Sequence, residues 1–186
     1  MTARAMNIHP AGGEAVKQLI SFVFAIAFVL AAGHPASAQE LKKLSLDDPS
    51  SIALKLTADP SVKVEGAASL RIETRWPTTI CLGEVSGLDV QAAQLLFRAR
   101  VKTDLEGDAF LEMWVQVAGG QYFSRGMNDR VGGKSDWKSI QTPFNFQKDQ
   151  KPDKVTLNVI VNGKGTVWVD DVVLSKAPLP KSPLRD

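Results

Sequence analysis

The segment Lys154–Leu174, KVTLNVIVNGKGTVWVDDVVL, carries the clearest strand pattern in the chain. Successive side chains of a β-strand point to opposite faces, and four apolar residues of the first half therefore share one face: Val155, Leu157, Val159 and Val161. The NGKG that follows predicts a tight hairpin turn into a final strand. That strand carries two adjacent acidic residues, Asp170 and Asp171, among apolar ones. Because a buried carboxylate needs a cation or hydrogen-bond donors, the pair predicts a special environment at this position.

The same alternation recurs along most of the chain after residue 38. It is strongest in Ala93–Asp104 and in Ala109–Gly120, where apolar and polar residues take turns. Short segments rich in Gly, Asp and Pro separate these runs, as turns separate antiparallel strands. No run of useful length has the 3.6-residue period of an amphipathic helix. The pattern therefore predicts an all-β fold, an antiparallel β-sandwich of the jelly-roll type.

The first 38 residues have the composition of an export signal. A weakly basic start is followed by the apolar run Leu19–Ala32 and then by small residues at Ala36 and Ala38. These features predict a secretory signal peptide over residues 1–38, cleaved after Ala38. A membrane-spanning helix needs about 20 apolar residues, so the shorter run predicts export to the periplasm or beyond without a stable membrane anchor.

The remaining residues predict one domain and a short tail. Residues 39–176 have the length of a single domain, and residues 177–186 form a Pro-rich tail that we expect to be flexible. The chain has 22 Lys and Arg against 20 Asp and Glu, with both signs interspersed, which does not favour a nucleic-acid partner. Cys81 is the only cysteine, which excludes an intrachain disulfide and predicts a small buried residue.

Catalytic residue patterns are scarce. Both histidines, His9 and His34, fall within the predicted signal peptide, so a histidine base or an ordinary zinc site is not expected in the mature chain. The sequence also lacks the Gly-rich phosphate-binding and dinucleotide-binding motifs. We therefore predict that the protein is not an enzyme.

Several local patterns occur in an order that resembles a known family. They are EGAASLRI (65–72), LLFRARVKTD (95–104), FLEMWVQV (110–117), SDWKSIQTPF (135–144) and the closing strand with its two aspartates. In this order they resemble the carbohydrate-binding-module jelly rolls of the galactose-binding-like superfamily. The resemblance covers residues 64–174 and implies a shared scaffold, a glycan partner and a non-catalytic role. A fold does not by itself fix a function.

The resemblance also implies a structural calcium ion near the closing strand. Asp170 or Asp171 would be a ligand, and Asp47 and Asp48 are the nearest acidic residues at the start of the domain, although the usual opening motif of the family is missing. Calcium takes six to eight oxygen ligands, and carboxylates supply them. The alternative is that one aspartate caps backbone amides while the other faces solvent or pairs with an arginine such as Arg71.

The expected ligand surface is a concave sheet face. Glu112, Trp114 and Gln116 share one side of their strand because they are two residues apart. We expect Asn158, with Thr156 and Ile160, to point the same way from a neighbouring strand, and Tyr122 or Arg125 to extend the face. Trp76, in a loop before Pro77, is a candidate for a separate rim site.

Aromatic rings with polar neighbours are typical of sugar-binding surfaces, which predicts a protein that binds poly- or oligosaccharide. Two alternatives remain open at this point. Trp114 could instead pack against its neighbours, and the domain could be a structural or protein-interaction module of the cell envelope without affinity for sugar.

Overall fold

The computed structural model describes residues 38–46 and 56–181, which contain eight β-strands and no helix. Residues 1–37 of the predicted signal peptide, as well as Asp47 and Asp48, lie outside the described residues. No described segment forms a helix long and apolar enough to cross a membrane. The strands are β1 (Gln39–Leu44), β2 (Leu56–Asp59), β3 (Ser69–Thr74), β4 (Thr78–Ser86), β5 (Ala93–Val117), β6 (Gly120–Arg125), β7 (Val131–Phe146) and β8 (Lys154–Pro178).

Two long strands, β5 and β8, form the spine of the fold. Each has 25 residues, and they pair antiparallel from Ala93 opposite Pro178 to Gln116 opposite Lys154. Both pass through a glycine pair, since Gly107 lies opposite Gly163 with φ angles of +133° and +147°. A Cβ on Gly163 would overlap the carbonyl oxygen of Glu106, so only glycine fits this crossing. The hairpin predicted at NGKG is therefore wrong: β8 continues through this segment instead of reversing.

The glycine crossing divides the spine into two layers. In the first layer, residues 93–105 of β5 and 165–178 of β8 pair with β1, β3 and β7, and β2 pairs with β3. In the second layer, residues 108–117 of β5 and 154–162 of β8 pair with β4 and β6. The all-β antiparallel sandwich predicted from the sequence is confirmed.

The core lies between the inner faces of the two layers. Leu95, Phe97 and Val101 from the first layer belong to the same buried cluster as Met113 and Leu157 from the second. All five side chains have no exposed surface, and burying a side chain of this size contributes about 1.5–3 kcal/mol. Inward and outward residues alternate along each strand, so every second side chain of a layer points to its outer face.

The closing half of β8 is a central strand of the first layer, with paired strands along both edges. Leu70 of β3 is opposite Val169 and Lys42 of β1 is opposite Leu174, while β5 pairs along the other edge. The strand ends at Pro178, within the Pro-rich segment that begins at residue 177.

Candidate functional site

The outer face of the second layer is a four-strand surface, which we call the platform. Side chains directly opposite each other on paired strands share a face, so the register defines three rows across β4, β8, β5 and β6. The rows are Cys81–Asn158–Glu112–Arg125, Glu84–Thr156–Trp114–Phe123 and Ser86–Lys154–Gln116–Gln121. The predicted grouping of Glu112, Trp114 and Gln116 with Asn158 is thus present in the structure.

Glu112 is the buried carboxylate of the platform and holds its neighbours in place. Its side chain is only 4% exposed, and Oε1 accepts hydrogen bonds from Trp114 Nε1 at 2.7 Å and Asn158 Nδ2 at 3.3 Å. Oε2 accepts a bond from Arg125 Nε at 2.5 Å. Both carboxylate oxygens are engaged, so Glu112 orients three neighbours; its predicted contact with ligand stays a prediction.

Two aromatic rings and a guanidinium form the centre of the platform. The ring centroids of Trp114 and Phe123 are 5.1 Å apart with planes inclined at 49°, a tilted geometry that aromatic pairs favour. The Arg125 guanidinium carbon lies 4.8 Å from the Phe123 centroid. Trp114 is half-buried, whereas Phe123 is 53% exposed. The surface therefore combines apolar ring faces with hydrogen-bond donors.

Phe123 belongs to the platform although the sequence did not predict it. Ala118 and Gly119 form a two-residue turn, both with positive φ (+50° and +78°), between β5 and β6. A turn of this length fixes the register of the hairpin, and it places Phe123 opposite Trp114. The dipeptide Ala118–Gly119 could have revealed this in the sequence. Residues paired outward from a two-residue turn at Ala118–Gly119 place Phe123 opposite Trp114.

Tyr122 does not join the platform. It lies opposite Val115, which points into the core, so its side chain leaves the sheet on the other face. Of the two residues expected to extend the face, Arg125 therefore does so and Tyr122 does not.

The polar margin of the platform is built from paired charges. Lys154 Nζ donates to Glu84 Oε1 at 2.9 Å, and the Thr156 hydroxyl donates to the same oxygen at 3.1 Å. These hydrogen bonds, the one from Lys154 first, lower the pKa of the Glu84 carboxyl.

Cys81 is exposed at this margin, so the prediction that it is buried is wrong. Its place opposite Asn158 puts it on the outer face.

Trp76 lies apart from the platform. It is 69% exposed in the turn between β3 and β4, and its backbone N–H donates to Thr74 Oγ1 at 3.3 Å. Strand β4 begins at Thr78 and reaches the Trp114 row only at Glu84. At about 3.3 Å per residue, that interval is about 20 Å, so Trp76 and Trp114 do not form one site.

The two adjacent aspartates of β8 have different surroundings. Asp170 is 5% exposed, and its Oδ2 accepts hydrogen bonds from the backbone N–H groups of Val64 at 2.6 Å and Glu65 at 3.1 Å. Its Oδ1 accepts a bond from the N–H of Asp171 at 2.7 Å. Asp170 thus fastens the loop between β2 and β3 to the closing strand.

Asp171 faces two cationic groups. Lys43 Nζ and Arg98 Nη2 each lie 3.6 Å from its carboxylate, while Arg71 pairs with Glu73 instead. Lys43 also contacts Glu65 at 2.6 Å. The arrangement matches the alternative in which one aspartate caps amides and the other forms ion pairs, although with a different arginine.

In the described residues, N–H groups and cations engage the carboxylates of Asp170 and Asp171. Three N–H groups point at the oxygens of Asp170, and two cations flank Asp171. The described residues contain no group of three or more His, Cys, Asp or Glu that could hold a metal ion. Since Asp47 and Asp48 are outside the described residues, calcium binding through them stays a prediction.

Comparison with known proteins identifies the scaffold only. No protein-family model and no curated protein matches the sequence. Among solved structures, a family 16 carbohydrate-binding module has a TM-score of 0.52 at 8% identity, over 72% of this chain and 96% of that one.

Two further structures are similar at lower scores. A CBM22-1 xylan-binding domain from Paenibacillus barcinonensis Xyn10C has a TM-score of 0.48 at 13% identity, over 68% of this chain and 83% of that one. A mannan-recognising module, TmCBM27, has a TM-score of 0.42 at 11% identity, over 76% and 99%. The likeness to the family 16 module carries the conclusion: this chain has the β-sandwich fold of the carbohydrate-binding modules.

Proposed function

We propose that this protein is an exported, non-catalytic protein that binds an uncharged poly- or oligosaccharide on the platform. The observation that carries the proposal is the Trp114–Phe123 ring pair, held in place by the buried carboxylate of Glu112. A site whose side chains are already fixed by hydrogen bonds loses little conformational entropy when a ligand binds.

The platform offers the two kinds of contact that a sugar ring needs. The exposed surface of Phe123 and Trp114 can cover the apolar C–H face of a pyranose. Arg125 uses Nε for Glu112, which leaves its two terminal nitrogens as donors in a fixed fork. Gln116 and Gln121 lie opposite each other in the next row, and their amides can both donate and accept.

The charge pattern favours an uncharged ligand. Arg125 is paired with Glu112, and Lys154 is paired with Glu84, so these four charges on the platform sum to zero. An acidic sugar would find no uncompensated cation among them. Binding should accordingly depend little on ionic strength, because screening weakens mainly interactions between net charges.

The same geometry argues against a hydrolase. Glycoside hydrolysis needs two carboxyl groups that can exchange protons with substrate or water. Glu112 is enclosed by three donors, and Glu84, the other carboxylate in the three rows, is occupied by Lys154 and Thr156.

The test is isothermal titration calorimetry with a panel of uncharged oligosaccharides, such as xylo-, manno- and cello-oligomers. The proposal predicts binding to one class, and loss of about tenfold or more in affinity for Trp114→Ala or Phe123→Ala. Trp76→Ala is the matched control, because it removes an exposed tryptophan far from the platform and should leave affinity unchanged.

The second candidate function is a protein-interaction module of the cell envelope. The exposed aromatic surface at β6, including Phe123, would serve a protein partner equally well. If the folded protein binds no oligosaccharide of the panel, the glycan proposal fails and this alternative is favoured.

A further inference from the structure

A cleft opens at one end of the second layer, outside the platform. It lies where the turn between β5 and β6 meets the loop between β7 and β8, and its volume is about 590 Å³. Ligand-binding clefts in proteins have volumes of about 300–1,000 Å³. We call it the rim cleft; its lining includes Val117, Tyr122, Phe144, Asp149, Lys151 and Asp153.

One wall of the rim cleft is apolar and aromatic. Tyr122 is 55% exposed, and Phe144 is half-buried with its ring centroid 4.9 Å from that of Phe146. The Tyr122 ring lies against Gly120, where a Cβ would come within 3.0 Å of the ring. The absence of a side chain at Gly120 therefore lets the Tyr122 ring lie against the turn.

The loop between β7 and β8 lines the rest of the cleft and supplies two carboxylates against one cation. Asp153 is held by its backbone N–H, which donates to the Gln116 carbonyl at 2.8 Å. The Gln150 side chain accepts a bond from the Gln147 N–H at 2.9 Å. Among the described residues, neither Asp149 nor Asp153 has a cationic partner for its carboxylate.

The one cation of the lining pairs with a carboxylate outside the cleft. Lys151 Nζ lies 2.8 Å from Asp89 Oδ1, a residue outside the cleft, and this contact lowers the pKa of Asp89. The cleft thus presents an aromatic ring and two uncompensated carboxylates. A protonated amine attached to an apolar ring satisfies both, since the ammonium pairs with the carboxylates and also interacts favourably with an aromatic face.

We propose that the rim cleft is a second binding site, separate from the platform, that takes a sugar unit carrying a free amino group. The proposal rests on the proposed function only in assuming that the ligand is a glycan. The platform, with its balanced charges, would bind uncharged sugar units, whereas the rim cleft would select amino sugars over their N-acetylated forms. Acetylation removes the positive charge and adds bulk, so it abolishes the interaction with Asp149 and Asp153.

The probe is fully de-N-acetylated glucosamine tetramer, compared with the N-acetylated tetramer. Tyr122 is the only tyrosine of the chain, so tyrosine labelled with carbon-13 gives a single ring signal set, from a ring that lines the cleft. We expect the amine tetramer to shift this signal with a measurable dissociation constant that rises with added salt. We expect the acetylated tetramer to leave it unchanged.

The variants separate the cleft from the platform. Asp149→Asn is well suited, because Asp149 has φ +63° and asparagine tolerates that conformation. Asp149→Asn and Asp153→Asn should each weaken binding of the amine tetramer about threefold or more. Asp104→Asn removes an exposed carboxylate from the first layer and should leave the affinity unchanged, which controls for net charge.

Three outcomes would overturn the proposal: no shift of the Tyr122 signal, an equal response to both tetramers, or an unchanged affinity in both the Asp149→Asn and Asp153→Asn variants. Binding that is lost in Trp114→Ala and kept in Tyr122→Ala would also overturn it, because the amine would then bind the platform. If uncharged glycans fail on the platform while the amine tetramer still binds at Tyr122, the proposed platform function fails and the rim cleft stands.

Discussion

Replacement of Glu112 by alanine should destabilise the fold by about 3 kcal/mol. The change leaves the buried Asn158 amide and the Trp114 indole N–H without their acceptor, and each unsatisfied group costs about 1–3 kcal/mol. Arg125 adds little because its side chain is 46% exposed and rehydrates. Release of a buried carboxylate offsets part of the sum.

The loss can be measured by urea unfolding, with a thermal melt as a second readout. For a domain of this size, 3 kcal/mol corresponds to a fall in Tm of about 6–12 °C. Glu112→Gln keeps an oxygen acceptor and should cost less than half as much. Gln116→Ala changes another outward residue of the same strand, four positions on, and should cost about 0.5 kcal/mol or less. A loss below about 1 kcal/mol for Glu112→Ala would refute the view that this carboxylate anchors the platform.

Three further predictions follow from the fold. Gly163→Ala should prevent accumulation of folded protein or lower stability by more than about 4 kcal/mol, because its Cβ would overlap a backbone carbonyl of the facing strand; near-normal stability in urea would contradict this. The indole N–H of Trp168 donates to Asp59 and lowers the pKa of that carboxyl. The stability that Asp59 contributes is therefore complete above about pH 4 and is lost as pH falls through the lower folded-state pKa. When unfolding is measured from pH 5 to pH 2, Asp59→Asn should lose less stability than the unchanged chain. Asp170→Asn should cost about 2 kcal/mol. If amides and cations alone satisfy Asp170 and Asp171, adding calcium or a chelator should not move the melting temperature, whereas a rise with calcium would contradict this and support the metal prediction.

The alternation of residues was enough to predict both faces of the spine strands. Val155, Leu157 and Val159 are buried as the period of two requires, and Glu112 shares its face with Trp114. The pattern could not show that β8 continues through NGKG, because glycines that form a turn and glycines that let a strand cross a facing glycine look alike in one sequence. The deciding contact, between Gly107 and Gly163, joins residues far apart in the chain.

The roles of individual site residues were harder to predict than their positions. Glu112 was expected to contact ligand, yet its burial and its three donors are visible only once β6 and β8 flank β5. Asp170 shows the same limit, since the amides that it caps belong to a loop more than a hundred residues earlier. Sequence patterns report which face a side chain takes, whereas its partners depend on the register of non-local strands.

The most direct test of the platform is a titration with uncharged oligosaccharide, followed through the indole N–H signals of the four tryptophans by nuclear magnetic resonance. If glycan binds the platform, the Trp114 signal shifts in a saturable way and the signals of Trp76 and Trp168 stay in place. Saturable binding that moves Trp76 or Trp168 and leaves Trp114 unchanged would contradict it.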